Sequence, residues 1–214
     1  MSKTVDVTGA LREDILNDVF PAGSRLVELT LSEKYSAPRA AVRSAIMQLT
    51  SEGLVERAEN RGATVRRVTL DEAVEITEAR GALEGFIAGR AATQATPEER
   101  ERLAHIGEEM KVAVETGDLF GYGRLNSTLH MQLFDAGHHH IARMLVHNLQ
   151  NRAVHQQFRL FMVPGRAQAS LAEHLAIIDA VVRGDADAAS EATTTHLNSI
   201  ATVLAKWSEL GSNA

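Results

Sequence analysis

The chain contains no cysteine. Disulfides, thiolate metal sites and cysteine nucleophiles are therefore excluded, and any bound metal must be held by histidine, carboxylate or amide oxygen. No apolar run approaches the roughly 20 residues that a membrane-spanning helix needs, and Met1-Ser2-Lys3-Thr4-Val5-Asp6 lacks the apolar core of a signal peptide. A soluble, cytoplasmic protein with no membrane partner is the expectation. Positive charge is scarce, with 22 Lys and Arg against 28 Asp and Glu. That balance argues against bulk, non-specific nucleic-acid binding, although a local basic helix can still bind DNA inside an acidic protein.

What is present changes character near residue 70. Residues 1–69 hold ten Lys or Arg against nine Asp or Glu, whereas residues 70–214 hold twelve against nineteen. Two domains are expected, 1–69 and 70–214, both of ordinary size among the 214 residues. In the first, Leu11, Ile15 and Val19 at i, i+4 spacing predict a helix ended by Pro21-Ala22-Gly23. Thr30-Leu31-Ser32-Glu33 reads as a capping box that starts a second helix. Ser36-Ala37 makes a turn, and Pro38 suits the first position of a third helix with an apolar face of Ala41, Val42, Ala45, Ile46 and Leu49. Gly53 stops it. Leu54-Val55-Glu56-Arg57 and Ala63-Thr64-Val65-Arg66, around Glu59-Asn60-Arg61-Gly62, read as two strands joined by a tight loop. Three helices and a hairpin make a winged helix-turn-helix.

On the third helix Arg39, Arg43, Ser44 and Gln48 are available to face outward, and no acidic residue lies between Glu33 and Glu52. Guanidinium groups one turn apart can reach phosphates or the O6/N7 edge of guanine. Gly62 lets the loop tip approach a backbone, with Arg61 placed to enter a groove or touch phosphate. These features predict a DNA-binding face.

After Leu70 no strand pattern interrupts helices expected over 71–95, 98–116, 118–136, 139–161, 166–183 and 186–211. A mainly α protein follows, a winged helix-turn-helix and then an all-α six-helix bundle. Within the bundle, polar residues stand at apolar positions. Asn126 and His130 share one helical face, His174 lies in the stripe of Leu171, Leu175 and Ile178, and His196 precedes Ile200 and Leu204. Together they could hold Zn²⁺, with Ni²⁺ as the alternative, and leave positions open for water or a carboxylate. Taken singly, such a histidine more often serves as a hydrogen-bonded core residue than as a ligand. Arg80, four before Glu84, either pairs with it or binds an anion. Glu173, beside His174, is expected on a different part of the helix surface. With no His-Glu-x-x-His or comparable motif to supply a general base, a helical metalloenzyme is the weaker alternative. His138-His139-His140 is expected as an exposed run at a helix start, and His147 and His155 either line a cavity or pack.

The first part resembles the GntR family of bacterial regulators through Leu11-Arg12-Glu13-Asp14-Ile15, Pro21-Ala22-Gly23-Ser24-Arg25-Leu26, Leu31-Ser32-Glu33-Lys34-Tyr35, Arg39-Ala40-Ala41-Val42-Arg43, Glu52-Gly53-Leu54-Val55 and Arg61-Gly62-Ala63-Thr64-Val65. The second is similar to the FCD ligand-binding domain of the FadR-like subfamily through Arg80-Gly81-Ala82-Leu83-Glu84, the Asn126-to-His130 spacing, Glu173-His174, Gly184-Asp185 and His196-Leu197. Six bundle helices would place it in the VanR-like branch. The resemblance implies a homodimeric, ligand-responsive transcription factor, commonly a repressor, that binds palindromic operator half-sites. It implies that Arg39 and Arg43 read guanines or phosphates, that Arg61-Gly62 forms the wing tip, that His130, His174 and His196 hold a metal, and that Arg80 holds the carboxylate of a small effector. The family usually has Asp where Asn126 stands, so a neutral amide replaces an anionic ligand and weakens the metal or alters its choice. It often has Ser or Thr where Pro38 stands, which removes one hydroxyl contact to phosphate. A regulator whose histidines bind the effector without metal stays open.

Overall fold

The computed structural model describes residues 6–58, 62–152 and 165–212. The chain divides into two compact units, one formed by residues up to Thr69 with a segment beginning at Asn148, the other by Leu70–His147 and the helices that follow. Among the described residues, no helix is long and apolar enough to cross a membrane.

In the first unit, helix α1 (Val7–Leu16) begins where the Asp6 carboxylate accepts from the Gly9 N–H. It buries Val7, Leu11 and Ile15, one residue per turn. It ends five residues before Pro21, not at it: Asp18 adopts φ 61°, a left-handed conformation that Asp tolerates, and exposed Val19 has left the helical stripe. Strand β1 (Arg25–Leu26) leads directly into α2 (Glu28–Lys34), whose N-cap, Val27, makes no side-chain hydrogen bond. The expected capping box is therefore absent, because α2 starts before Thr30 and places that residue inside the helix. Ser36, at φ 49°, makes the turn. The Pro38 carbonyl then accepts from Ala41 and Val42, which makes Pro38 the N-cap of α3 (Arg39–Ser51) instead of its first residue.

Helix α3 buries Val42, Ala45, Ile46 and Leu49. Gly53, at φ 79°, turns the chain out of it. Strands β2 (Val55–Ala58) and β3 (Gly62–Val65) follow, and the antiparallel sheet has the order β1-β3-β2. The two-residue β1 is an addition to the expected hairpin, pairing Arg25 with Thr64 and Leu26 with Ala63. Leu11, Ile15, Leu26, Leu31, Leu49, Leu54 and Val65 close one core beneath the three helices and the sheet. This is a winged helix-turn-helix.

From Leu70 on, the described residues form helices joined by short turns: α4 (Leu70–Gln94), α5 (Pro97–Glu115), α6 (Leu119–Ala136), α7 (His140–Arg152), whose residues from Asn148 group with the first unit, α8 (Arg166–Arg183) and α9 (Ala186–Ser212). The sequence spans agree with these to within one residue, except at the end of the fourth, since residues 153–164 lie outside the described residues. Thr96 and Glu99 form a reciprocal capping box with Pro97 at the start of α5. Helices α4 and α9 run antiparallel in close contact. A Cβ built on Gly85 would stand 2.7 Å from Thr194 Oγ1 and 3.1 Å from the Ser190 carbonyl, while Gly81 faces Leu197 and Gly89 faces Ala186. This run of glycines at four-residue spacing lets α9 lie against the face of α4 that carries Arg80 and Glu84. Leu103, Met110, Tyr122, Leu129, Leu133, Ile177 and Val181 fill the core among α5, α6 and α8.

Candidate sensor site and DNA-binding face

His130 comes from α6, His174 from α8 and His196 from α9, and all three are buried. Each offers one nitrogen, and the three nitrogens lie within 4.8 Å of one another. His130 Nε2 and His174 Nε2 are 3.3 Å apart. Nitrogens bound at about 2.0–2.1 Å to a tetrahedral ion stand roughly 3.3 Å apart, so the pair already has the required spacing. The donor set of borderline-soft imidazoles suits a divalent transition metal.

The second nitrogen of every ring has a neighbour. His196 Nδ1 lies 2.7 Å from Glu173 Oε2. Glu173 in turn accepts from both terminal nitrogens of Arg166, at 3.0 and 2.9 Å. His174 Nδ1 stands 3.1 Å from the Tyr122 hydroxyl and 3.3 Å from that of Ser170. His130 Nδ1 faces Glu84 Oε2 at 3.4 Å, too poorly placed for a hydrogen bond, so both atoms are buried and unpartnered. Glu84 also accepts from Arg80 Nε at 2.7 Å. Two Arg–Glu pairs thus flank the histidines, each with its carboxylate toward an Nδ1. A carboxylate there favours the tautomer that carries its proton on Nδ1 and leaves Nε2 free to bind a metal. His174 is different. When its Nε2–H donates to His130, its Nδ1 accepts from a hydroxyl. When its Nε2 is freed, Nδ1–H can donate to the same hydroxyls, because these serve in either role.

Burial and neighbouring charges act on the two carboxylates and on two of the imidazoles. Burial pushes Glu84 up, but Arg80 and then His130 outweigh it and hold the carboxyl down at about 2. Burial likewise raises Glu173, and its bonds to His196 and Arg166 bring it to about 2. His174 lies well below its ordinary value through burial first and then its positive neighbours. His196 is also lowered by burial, despite the opposing pull of Glu173. Imidazoles lowered as His174 and His196 are, beside carboxylates held ionised, favour the binding of a cation.

The other expected sensor residues are placed as follows. Asn126 lies half-buried one turn before His130, and its side chain makes no hydrogen bond among the described residues. Arg80 takes the ion-pair alternative through Nε, while its two terminal nitrogens have no hydrogen-bond partner among the described residues. Glu173 corrects the sequence reading: it faces the cluster, because α9 brings His196 to the side on which this long side chain emerges. Arg166, Ser170 and Tyr122 were not anticipated: Ser170 stands four residues before His174 and Arg166 seven before Glu173 on the same helix, a spacing the sequence does carry, whereas Tyr122 reaches His174 from α6, for which spacing within one helix holds no signal. His138 and His140 are exposed at the start of α7, as expected, with His139 capping that helix through the Ala142 N–H. His147 is exposed and so neither lines a cavity nor packs. His155 lies outside the described residues.

On the first unit, Arg39, Arg43, Ser44, Met47 and Gln48 are exposed on one face of α3. Arg43 Nε and Nη2 donate to the two carboxylate oxygens of Glu28 at 3.0 and 2.9 Å. The hydrogen bonds from Arg43 lower the Glu28 pKa against the opposing effect of desolvation, and the charges of Arg43, Arg57 and Arg39 lower it further. Exposed Arg57, on β2, therefore belongs to the same basic patch, which sequence reasoning missed because only the sheet brings it there. Gly62 is exposed at φ 82°, and a Cβ there would touch nothing, which leaves room for a close approach. Arg61 lies outside the described residues.

Known proteins carry the same organisation. At 26% identity, covering 89% of this chain and 83% of that protein, the sequence is similar to the HTH-type transcriptional repressor RspR of Escherichia coli K12. At 27%, covering 88% and 81%, it is similar to a putative L-lactate dehydrogenase operon regulatory protein of the same organism. Among solved structures, E. coli McbR/YncC superposes with a TM-score of 0.77 at 20% identity, over 97% of this chain and 99% of that one. A putative GntR transcriptional regulator from Rhodococcus sp. RHA1 gives 0.74 at 24%, over 96% and 99%. These relatives are transcriptional regulators, not enzymes. The model of the bacterial regulatory proteins, gntR family, matches residues 3–65, and that of the FCD domain matches residues 75–199. The chain belongs to the GntR family of bacterial transcriptional regulators, in the group that joins a winged DNA-binding domain to an FCD domain.

Proposed function

We propose that this regulator is a ligand-responsive repressor in which residues 70–214 bind a small carboxylate at a histidine-held divalent metal and residues 1–69 bind operator DNA. The observation that carries this reading is the convergence of three buried imidazoles, each with its second nitrogen beside a carboxylate or hydroxyl. His130, His174 and His196 hold the ion, Zn²⁺ in the first instance and Ni²⁺ as the alternative, and Asn126 adds its amide oxygen. The terminal nitrogens of Arg80 take the effector's carboxylate, a bidentate pairing suited to guanidinium. Arg39, Arg43, Ser44 and the wing tip at Arg61-Gly62 contact the operator. A second copy of the chain supplies the other half-site, since a single short helix reads too few bases for specificity. Exposed Ile141, Met144 and Leu145 on α7 offer apolar surface for that dimer. Repression is taken from RspR, which is named a repressor.

The test is elemental analysis of untagged protein, followed by thermal-shift screening of small carboxylates with and without chelator. About one divalent ion per chain, with carboxylate stabilisation lost on chelation, is the expected result. Stabilisation indifferent to chelator, with no metal found, would instead favour a metal-free sensor, a reading supported by the direct contact of His130 with His174.

A further inference from the structure

A guanidinium presents two edges with two donors each, Nε with Nη2 and Nη1 with Nη2. Glu28 occupies the first edge of Arg43, reaching it from α2. The second edge makes no hydrogen bond among the described residues. That edge matches the O6 and N7 pair of guanine. Stability does not explain the pairing, because the Arg43 and Glu28 side chains remain 60% and 34% exposed, and ion pairs at such exposure add little. What the pair does is fix the plane and direction of a long, flexible side chain.

We propose that Glu28 is a specificity-determining positioning residue, which clamps Arg43 by its inner edge so that its outer edge reads a single guanine in each half-site. Arg39 has no such clamp: its side chain makes no hydrogen bond among the described residues and is left to range over phosphates. The carboxylate has a second effect through its charge. It stands among Arg39, Arg43 and Arg57, and a patch of three bare guanidiniums would bind any phosphate backbone. Glu28 removes part of that sequence-independent attraction while directing one arginine toward a base.

The inference rests on the reading of Arg43 as a base-contacting residue, so both are tested together. Full-length protein is used to select binding sites from a duplex library randomised over about 20 base pairs, enough for two half-sites one turn apart. Wild type, Glu28→Gln, Glu28→Ala, Arg43→Lys and the Glu28→Gln, Arg43→Lys double variant are compared. Wild type is expected to select a guanine that Arg43→Lys no longer selects. Each Glu28 variant should lose preference at that same guanine by roughly 10-fold, while affinity for a random duplex rises. The double variant should discriminate no worse than Arg43→Lys alone. If the Glu28 variants instead bind selected and random duplexes more tightly by the same factor, with guanine preference intact, Glu28 is only a counter-charge and the proposal fails. Loss at a different base pair, additive with Arg43→Lys, would also overturn it, because Glu28 would then read its own base. If wild type and Arg43→Lys select identical sites, the base-reading role of Arg43 falls and the proposal falls with it. Glu28→Gln keeps the length and one acceptor of Glu28, so it decides the matter should Glu28→Ala melt early.

Discussion

At the scale of single residues, the proposed sensor depends on what stands behind each imidazole. Glu173 is the clearest case, fixed by Arg166 on one side and holding His196 Nδ1 on the other. Carboxylates in this position commonly change metal affinity by about 10- to 100-fold when altered. Glu173→Gln is therefore expected to weaken Zn²⁺ binding by roughly that factor, read by competition with a chromophoric chelator, with the melting of the metal-free variant as a control for folding. Wild-type affinity would show that His196 needs no such support. The three histidines were legible in the sequence because each interrupts an apolar stripe, a position where burial is predictable. Their partners were not. Glu173 immediately precedes His174 and so stands off the stripe that His174 shares with Leu171 and Ile178, and only the approach of α9 makes it a neighbour of His196. The same limit hid Glu28: the absence of acids between Glu33 and Glu52 is real, yet the carboxylate that holds Arg43 arrives through space from α2.

At the scale of elements, the sequence is most informative where a helix makes its own ends. The capping box of Thr96 and Glu99 is built within four consecutive residues and needs no contact from elsewhere in the chain. It is least informative where tertiary pairing decides. Strand β1 is two residues long and exists because β3 pairs with it, and its run into α2 displaces the box expected at Thr30. The glycines of α4 belong to this second kind, since their value lies in the helix they face. At Gly85 an added methyl meets the Ser190 carbonyl and Thr194 Oγ1, which is itself bonded to the Ser190 carbonyl at 2.9 Å. Overpacking of this type costs about 1–3 kcal/mol, against roughly 1 kcal/mol gained from replacing a helical glycine by alanine. Gly85→Ala should therefore lower stability by about 1 kcal/mol, measured by denaturant melting. Gly123 on α6 provides the contrast. Nothing lies within 4 Å of its built Cβ, so Gly123→Ala should be stabilising by about 0.4–1 kcal/mol. Equal responses at the two sites would mean that α9 yields freely and that the glycine run does not set its distance from α4.

At the scale of the whole molecule, the proposed function is a coupling between a carboxylate site in one unit and a DNA face in the other. Such coupling is a free energy shared by both binding events, so it must be reciprocal. If the carboxylate weakens operator affinity by some factor, operator must weaken carboxylate affinity by the same factor, typically about 5- to 150-fold. This can be tested without knowing how the change is transmitted. Titration calorimetry of the metal-loaded protein gives the carboxylate affinity with and without a saturating selected duplex, and fluorescence anisotropy gives the duplex affinity with and without saturating carboxylate. All four measurements need one ionic strength, because phosphate contacts make DNA affinity steeply salt-dependent. The two ratios should agree and should favour release of DNA by the carboxylate. Two ratios of one would leave a metal site and a DNA face on the same chain with no energetic connection, and the sensor reading would fail. A shared factor in the opposite direction would keep the sensor but make the carboxylate a co-repressor, since the sign depends only on which state the effector binds more tightly.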